Sequence, residues 1–465
     1  NLLGRDAFQE TDIVGITVPI TKVNYLVQSI KDIPKIIKEA YFIASTGRPG
    51  PVLVDIPNDI QQQEISYEEF NRLFDKEVKL EGYDPTYVGH PVQIKRALSL
   101  IKKAKKPLII AGAGVMKSGA SKELLELANK MDIPVTTTLL GLGAFPENHE
   151  LSLGMLGMHG TVPANYATDE ADLVIAAGIR FDDRIAGNPS KFCERAKIIH
   201  IDIDPAEIDK NKKADVPIVG DLKNVLSEIN KELEPQDHKE WTDKVKEWKK
   251  EYPLAHRDVG KDKLLPQEVL KAINDILDGD TIVVTDVGQH QMWAAQYMTY
   301  KNANSIVTSG GAGTMGFGVP AAIGAQVGAR DKKVVLIVGD GGFQMTLEEI
   351  MMIRQYNLPV KIVIINNSFL GMVRQWQELF KDRRYSFVDL ECNPDFVKIG
   401  DAYGIKAERL QTKADLENKL KDLILSDEGV ILDCIVEKEE NVFPMIPAGK
   451  TVSQMIGKKG VLEND

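Results

Sequence analysis

The sequence runs to 465 residues, 43% hydrophobic and 27% charged, with 37 Gly and 22 Pro; that balance suits about three globular domains and excludes a disordered or fibrous chain. Its 57 basic and 68 acidic residues leave a net charge of -11, which argues against nucleic acid or an anionic membrane as partner, because both call for basic surface. No run of about 18 apolar residues occurs, so no transmembrane helix is expected, and the three cysteines, Cys193, Cys392 and Cys434, have neither zinc nor CxxC spacing, which suits a reducing, cytoplasmic setting.

Short apolar runs alternate with helical patterns along most of the chain. This predicts a doubly wound α/β protein of mostly parallel sheets with helices on both faces. The chain opens on Asn1-Leu2-Leu3 with no Met and no signal-like segment. Residues 1–70 hold an irregular start, a helical pattern over Ser29–Thr46 and a strand-like run over Pro51–Asp55. That is too little for a domain and reads as the end of one. A second unit is expected over 71–235, with strands at Pro107–Ala111, Pro134–Thr137, Asp172–Ala176, Lys197–Asp202 and Pro217–Gly220. Residues 236–263 are charge-rich and helical and read as a linker. A third unit is expected over 264–465, with strands at Thr281–Thr285, Ser305–Thr308, Lys333–Val338, Pro359–Ile365 and Val430–Val436. Its tail, with Pro444, Pro447 and Gly449, is a candidate lid.

The strongest chemical signal lies in the third unit. A buried-strand run ends in Gly339-Asp340-Gly341-Gly342, a helical pattern follows over Thr346–Tyr356, and the next strand ends in Asn366-Asn367. A lone Gly-Asp-Gly is usually a turn. Here Asp340 and Asn367 are spaced as the two strand ends of one βαβ unit, and a right-handed crossover sets such ends side by side at the carboxyl edge of a sheet. A carboxylate and an amide oxygen there suit Mg²⁺, whose remaining positions phosphate and water fill. Gly341 and Gly342 let a phosphate approach the backbone. The arrangement is built to hold a diphosphate through a metal.

These residues resemble the thiamine diphosphate motif of the thiamine-dependent decarboxylases and carboligases. Leu370-Gly-Met-Val-Arg-Gln-Trp-Gln377, Gly288-Gln-His-Gln-Met-Trp293 and Gly313-Thr-Met-Gly-Phe-Gly318 sharpen the resemblance to the catalytic subunits of the acetohydroxyacid synthase family, over essentially the whole chain. The resemblance implies that Asp340, Asn367 and the backbone of Phe369 hold Mg²⁺. It implies that Gln289 and His290, with Gly339, Gly341, Gly342 and Met345, contact thiamine diphosphate, and that Met315 wedges the cofactor into a bent form. Met372, Val373 and Trp376 would wall the substrate pocket, with Trp376 tied to the larger second keto acid, although Met372 and Trp376 at helical spacing also suit a core.

The middle unit carries glycines and acidic residues at strand ends, where nucleotides bind, but Gly112-Ala113-Gly114 by itself is weak evidence. By resemblance these stretches belong to an FAD-binding domain. Its implied contacts are Gly112, Ala113, Gly114, Thr138, Leu139, Gly157, Met158, His159, Gly160, Thr161, Gly178, Arg180, Arg184, Asp202, Ile203, Asp221 and Leu222, with Arg48 from the first unit. FAD would be structural, because the net reaction is not redox.

Residues 1–70 resemble the end of the family's pyrimidine-binding domain, with Phe8 and Lys22 facing the substrate channel and Asn58 where the family has a channel lysine. The family's catalytic glutamate matches no residue here. The expectation is therefore that the 465-residue chain does not turn over alone, which normal acetolactate formation by that chain would refute. The implied reaction condenses pyruvate with a second pyruvate or 2-oxobutanoate, in a homodimer or homotetramer whose sites lie between subunits, with a small regulatory subunit. Two alternatives are a pyruvate oxidase-like flavoenzyme, distinguished by pyruvate-dependent bleaching of FAD, and a noncatalytic cofactor-binding fragment.

Overall fold

The computed structural model describes residues 4–75, 77 and 80–460. Its strands are β1 (Asn24–Leu26), β2 (Leu53–Asp55), β3 (Pro107–Ala111), β4 (Val135–Thr137), β5 (Ser152–Met155), β6 (Leu173–Ala177), β7 (Lys197–Asp202), β8 (Val216–Val219), β9 (Ile282–Thr285), β10 (Ile306–Thr308), β11 (Val334–Gly339), β12 (Lys361–Asn366), β13 (Lys406–Leu410) and β14 (Val430–Ile435).

Two compact units emerge. The first holds the described residues up to Gly89 with Ile203–Ala206 and Val219–Asp221. In it β1 and β2 pair in parallel, Asn24 opposite Leu53, beside the helix Ile33–Ser45. The second unit holds two six-stranded sheets, in the orders β5-β4-β3-β6-β7-β8 and β10-β9-β11-β12-β14-β13. All five pairings of the latter sheet are parallel, as are the pairings that join β5 to β7 in the former.

The central strands are apolar throughout because both of their faces are covered. In the first large sheet Ile109, Ala111, Ile175 and Ile199 enter one core, while Leu108, Ile110, Val174 and Ile198 enter the other. In the second, Val335, Ile337, Val363 and Ile365 face one way and Leu336, Val338, Ile362 and Ile364 the other. This period of two, with helices closing both layers, is the doubly wound arrangement.

Several segments differ from the reading of the sequence. The edge strands β5 and β13 were not foreseen, because Ser-Leu-Gly-Met and Lys-Ala-Glu-Arg-Leu lack a continuous apolar run; edge strands carry charge and glycine without burying them. The expected linker contains the helix Lys239–Glu251, whose Trp241 and Val245 join the core under the first large sheet. Trp241 Nε1 donates to Pro107 O at 2.9 Å and its ring meets Trp248 edge-on at 5.8 Å. The expected lid is a fixed strap over 440–446, where Val442, Phe443, Met445 and Ile446 are buried. The Gln375 side chain accepts from Val442 N at 2.9 Å and donates to Val442 O at 3.2 Å.

Candidate cofactor site

The second large sheet reverses its winding between β9 and β11, and such a reversal opens a crevice beyond the carboxyl ends of the strands. Register places the three relevant ends together: Ile337 of β11 lies opposite Thr285 of β9, and Gly339 opposite Ile365 of β12. A cleft opens there. Its lining includes Gln289, His290, Met315, Gly339, Asp340, Gly341, Gly342, Asn367, Phe369, Met372 and Val373. The structure thus gathers residues spread over 85 positions into one cavity.

Local sequence explains the approach. The helix Asp340–Gln344 starts directly at the end of β11, six residues earlier than the helical pattern suggested, so Gly341 and Gly342 form its first turn. A Cβ on Gly341 would meet Leu370 Cδ2 at 2.8 Å, and one on Gly339 would meet His290 Nδ1 at 2.9 Å. Ser368, at φ 57°, makes the turn that presents Asn367 and Phe369. Asp286, wholly buried behind the cleft, accepts from Gly318 N at 2.8 Å and ties in the helix Gly318–Gly328.

Burial pushes the Asp340 carboxyl up to about 6, against the opposing hydrogen bond from Asn393 Nδ2 at 2.6 Å. Burial also holds His290 down to about 4, against the charge of Asp286, so its ring is neutral at pH 7. His290 Nε2 is buried and has no hydrogen-bond partner. A buried polar atom without a partner costs about 1–3 kcal/mol, and one facing a cleft suits a polar ligand. Among the described residues no group of three or more His, Cys, Asp or Glu side chains could hold a metal. A cation here would draw on one carboxylate with amide and carbonyl oxygens, taking its other ligands from phosphate and water, which fits Mg²⁺.

Gln289 Nε2 donates to Gln375 Oε1 at 2.8 Å and to Glu440 O at 2.9 Å, which turns Gln289 Oε1 toward Asn367 Nδ2 at 3.3 Å. Gln375 and Asn393 were not singled out from the sequence. Gln375 stands inside the Leu370–Gln377 motif, while Asn393 has no local signal and reaches Asp340 only through folding. Met345 lies outside the cleft and is 51% exposed. Trp376 also lies outside its lining, one turn from Met372 and tilted against Phe380 at 5.2 Å. Phe8 is 93% exposed in the first unit. Lys22 Nζ, in the same unit, donates to Thr46 O, Arg48 O and Tyr83 Oη at 2.9, 3.1 and 2.9 Å.

Most residues assigned to FAD by resemblance follow strands at one edge of the first large sheet: Gly112, Ala113 and Gly114 after β3, Thr138 and Leu139 after β4, Gly157, Met158, His159, Gly160 and Thr161 after β5, Gly178, Arg180 and Arg184 after β6, and Asp202 at the end of β7. Strand order reverses between β3 and β6. There the close approach is of loop on loop: Gly114 N donates to Gly178 O at 3.2 Å, and a Cβ on Gly114 would lie 2.6 Å from Gly178 Cα. A Cβ on Gly178 would meet Leu222 Cδ1 at 3.0 Å. Met158 N donates to Arg184 O at 2.9 Å, and Thr161 Oγ1 caps the helix Val162–Glu170. His159 is buried, which holds it down to about 4 with help from the charge of Arg184, and its Nδ1 has no partner. Arg180 meets Asp182 at 3.2 Å and Arg184 meets Asp183 at 3.4 Å. Ile203 and Asp221 belong to the first unit, as does Arg48, whose guanidinium meets Asp204 at 3.1 Å.

Comparison with known proteins agrees with this geometry. Residues 94–229 match the model of the thiamine pyrophosphate enzyme central domain, and residues 286–434 that of the C-terminal TPP binding domain. The chain is 47% identical over 464 residues to the probable acetolactate synthase large subunit of Methanocaldococcus jannaschii, covering 98% of this chain and 78% of that protein. It is 46% identical over 466 residues to the acetolactate synthase large subunit of Lactococcus lactis, covering 100% and 80%. Against the same subunit of Corynebacterium glutamicum it is 46% identical over 465 residues, covering 98% and 73%. With this cleft at a switch point of the second sheet and this similarity along nearly its whole length, the chain belongs to the acetolactate synthase large-subunit family of thiamine pyrophosphate enzymes.

Proposed function

We propose that the cleft binds thiamine diphosphate through one Mg²⁺ and that the protein forms 2-acetolactate from pyruvate. The observation that carries this reading is the meeting of Asp340, Asn367 and the unpartnered His290 Nε2 in one cleft at the carboxyl ends of neighbouring strands. Asp340, Asn367 and the backbone of Phe369 would hold the ion, and Gln289 and His290 the diphosphate. When bound, thiamine diphosphate supplies the electron sink that lets a 2-keto acid lose carbon dioxide and pass on its two-carbon unit. The chain's own residues position and enclose. Met315 and Met372 make the cleft wall apolar, which excludes water and strengthens every polar contact inside it. Val373 lines the cleft yet is 50% exposed, which supports cover from a second copy in a homodimer or homotetramer.

The second keto acid would be pyruvate or 2-oxobutanoate, with Trp376 one turn beyond Met372 favouring the larger. FAD would sit at the edge of the first large sheet, supported by the buried, unpartnered Nδ1 of His159. The relatives' names describe a large subunit, which supports a small regulatory one here. No described helix is long and apolar enough to cross a membrane, and the cysteines are free; both accord with a place in the cytoplasm. Acetolactate formation from pyruvate by the protein purified from its own source tests the reading. It should require both thiamine diphosphate and Mg²⁺ and fall about a hundredfold or more in Asp340→Ala. Formation that survives chelation or that substitution contradicts it.

A further inference from the structure

We propose that Asp433 is a positioning residue for the metal site, acting on Asp340, Asn367 and Phe369 through the amides of Asn366 and Asn393. The inference rests on the reading of the cleft as a magnesium and diphosphate site. Asp433 lies on β14 and outside the cleft lining, and it is 1% exposed. Its Oδ2 accepts from Arg409 Nε at 2.9 Å and its Oδ1 from Asn366 Nδ2 at 2.8 Å.

A carboxylate can only accept, so it sets which end of the Asn366 amide faces it. Asn366 Oδ1 must then point the other way, where it accepts from Ser368 N at 3.3 Å and Asn393 Nδ2 at 3.4 Å. The first bond shapes the turn between Asn367 and Phe369. The second sorts the Asn393 amide: its Nδ2 reaches Asp340 Oδ2 at 2.6 Å and its Oδ1 accepts from Gln344 Nε2 at 2.9 Å. The two ends of an amide are nearly equal in shape, so sterics alone do not choose between them. Carboxylates close the series at both ends: Asp433 makes that choice for Asn366 and for the Ser368 turn, and Asp340 reinforces it at Asn393. An ion pair whose arginine is 36% exposed adds little net stability, so setting direction is the part of its action that an apolar pair would not reproduce. Partners of this kind are worth about 10–100-fold in metal affinity.

The test is the Mg²⁺ concentration that half-saturates thiamine diphosphate binding, read by calorimetry, beside the guanidinium midpoint of the protein without cofactor. Asp433→Asn and Asn393→Ala should each raise that concentration about tenfold or more. The double variant should be no worse than the worse single one, because both cut one series. Arg409→Lys keeps a positive partner for Asp433 but loses the fork that spans Asp433 and Asp395; it should lower the midpoint yet keep the Mg²⁺ requirement within about twofold of wild type. If Asp433→Asn does not fold, Asn366→Ala takes its place in the cycle. An unchanged requirement in either single variant, effects that multiply in the double, or a requirement that simply tracks the midpoint across all variants overturns the proposal. If wild type itself shows no Mg²⁺-dependent binding, the cofactor reading falls, and this inference with it.

Discussion

Asp340 shows what the site costs the fold. Its carboxyl titrates near 6 against an ordinary 3.8, because burial removes the water that would solvate the charge. The folded form therefore holds the proton more tightly than the unfolded form. Stability present at low pH is lost as pH rises from about 4 to about 6, by about 3 kcal/mol in all. Asp340→Asn, which carries no charge, should thus make the cofactor-free protein more stable than wild type at pH 7.5, with the gap closing toward pH 4. Guanidinium midpoints of the two proteins at the two pH values measure this, and a variant less stable at pH 7.5 would contradict it. The group that costs stability without the ion is the one whose charge the ion would neutralise, a trade common at functional sites. Asp340 and Asn367 were legible in the sequence because strand, crossover and strand impose their spacing. Asn393 was not, since it reaches Asp340 from a separate part of the chain that folding alone brings near; Gln375 and Asp286 lie in or beside quoted motifs, but nothing in their spacing shows that their side chains tie down the strap and a neighbouring helix.

At the scale of elements, continuous apolar runs revealed the central strands to within a residue or two, because burial on both faces leaves no other composition open to them. The edge strands β5 and β13 escaped for the converse reason. The helix Lys239–Glu251 looked like a linker because its mean composition is charged, although its Trp241 and Val245 face is core. The glycines after β3 and β6, expected beside a nucleotide, also let their own loops pack on each other. Gly114→Ala should therefore force the two loops apart and destabilise the fold by about 1–3 kcal/mol, as overpacking does. A denaturation midpoint equal to wild type would show that the loops do not press on each other. Pro444, Pro447 and Gly449 marked the tail as irregular and a candidate lid; its stretch over 440–446 is tied by the Gln375 amide and by the buried Arg374, which donates to Glu440 O at 2.8 Å and Asn441 Oδ1 at 2.7 Å.

For the whole molecule, strand order reverses between β3 and β6 in the first large sheet and between β9 and β11 in the second, and many of the residues singled out for cofactors follow the strands beside those two reversals. Such reversals open crevices beyond the carboxyl ends of the strands, which is where the proposed thiamine diphosphate and FAD sites would lie. The fold class was legible from alternating strand and helix patterns; the order of the strands was not, because register and crossover leave no mark in composition. On the proposed reading, the ends of β11 and β12 grip a diphosphate through one magnesium ion. Calorimetric titration of thiamine diphosphate into the protein, with Mg²⁺ and then with EDTA, tests it most directly. The account predicts saturable binding that needs the metal and is lost in Asn367→Ala with the fold intact. Equal binding in EDTA, or binding indifferent to that substitution, would contradict it.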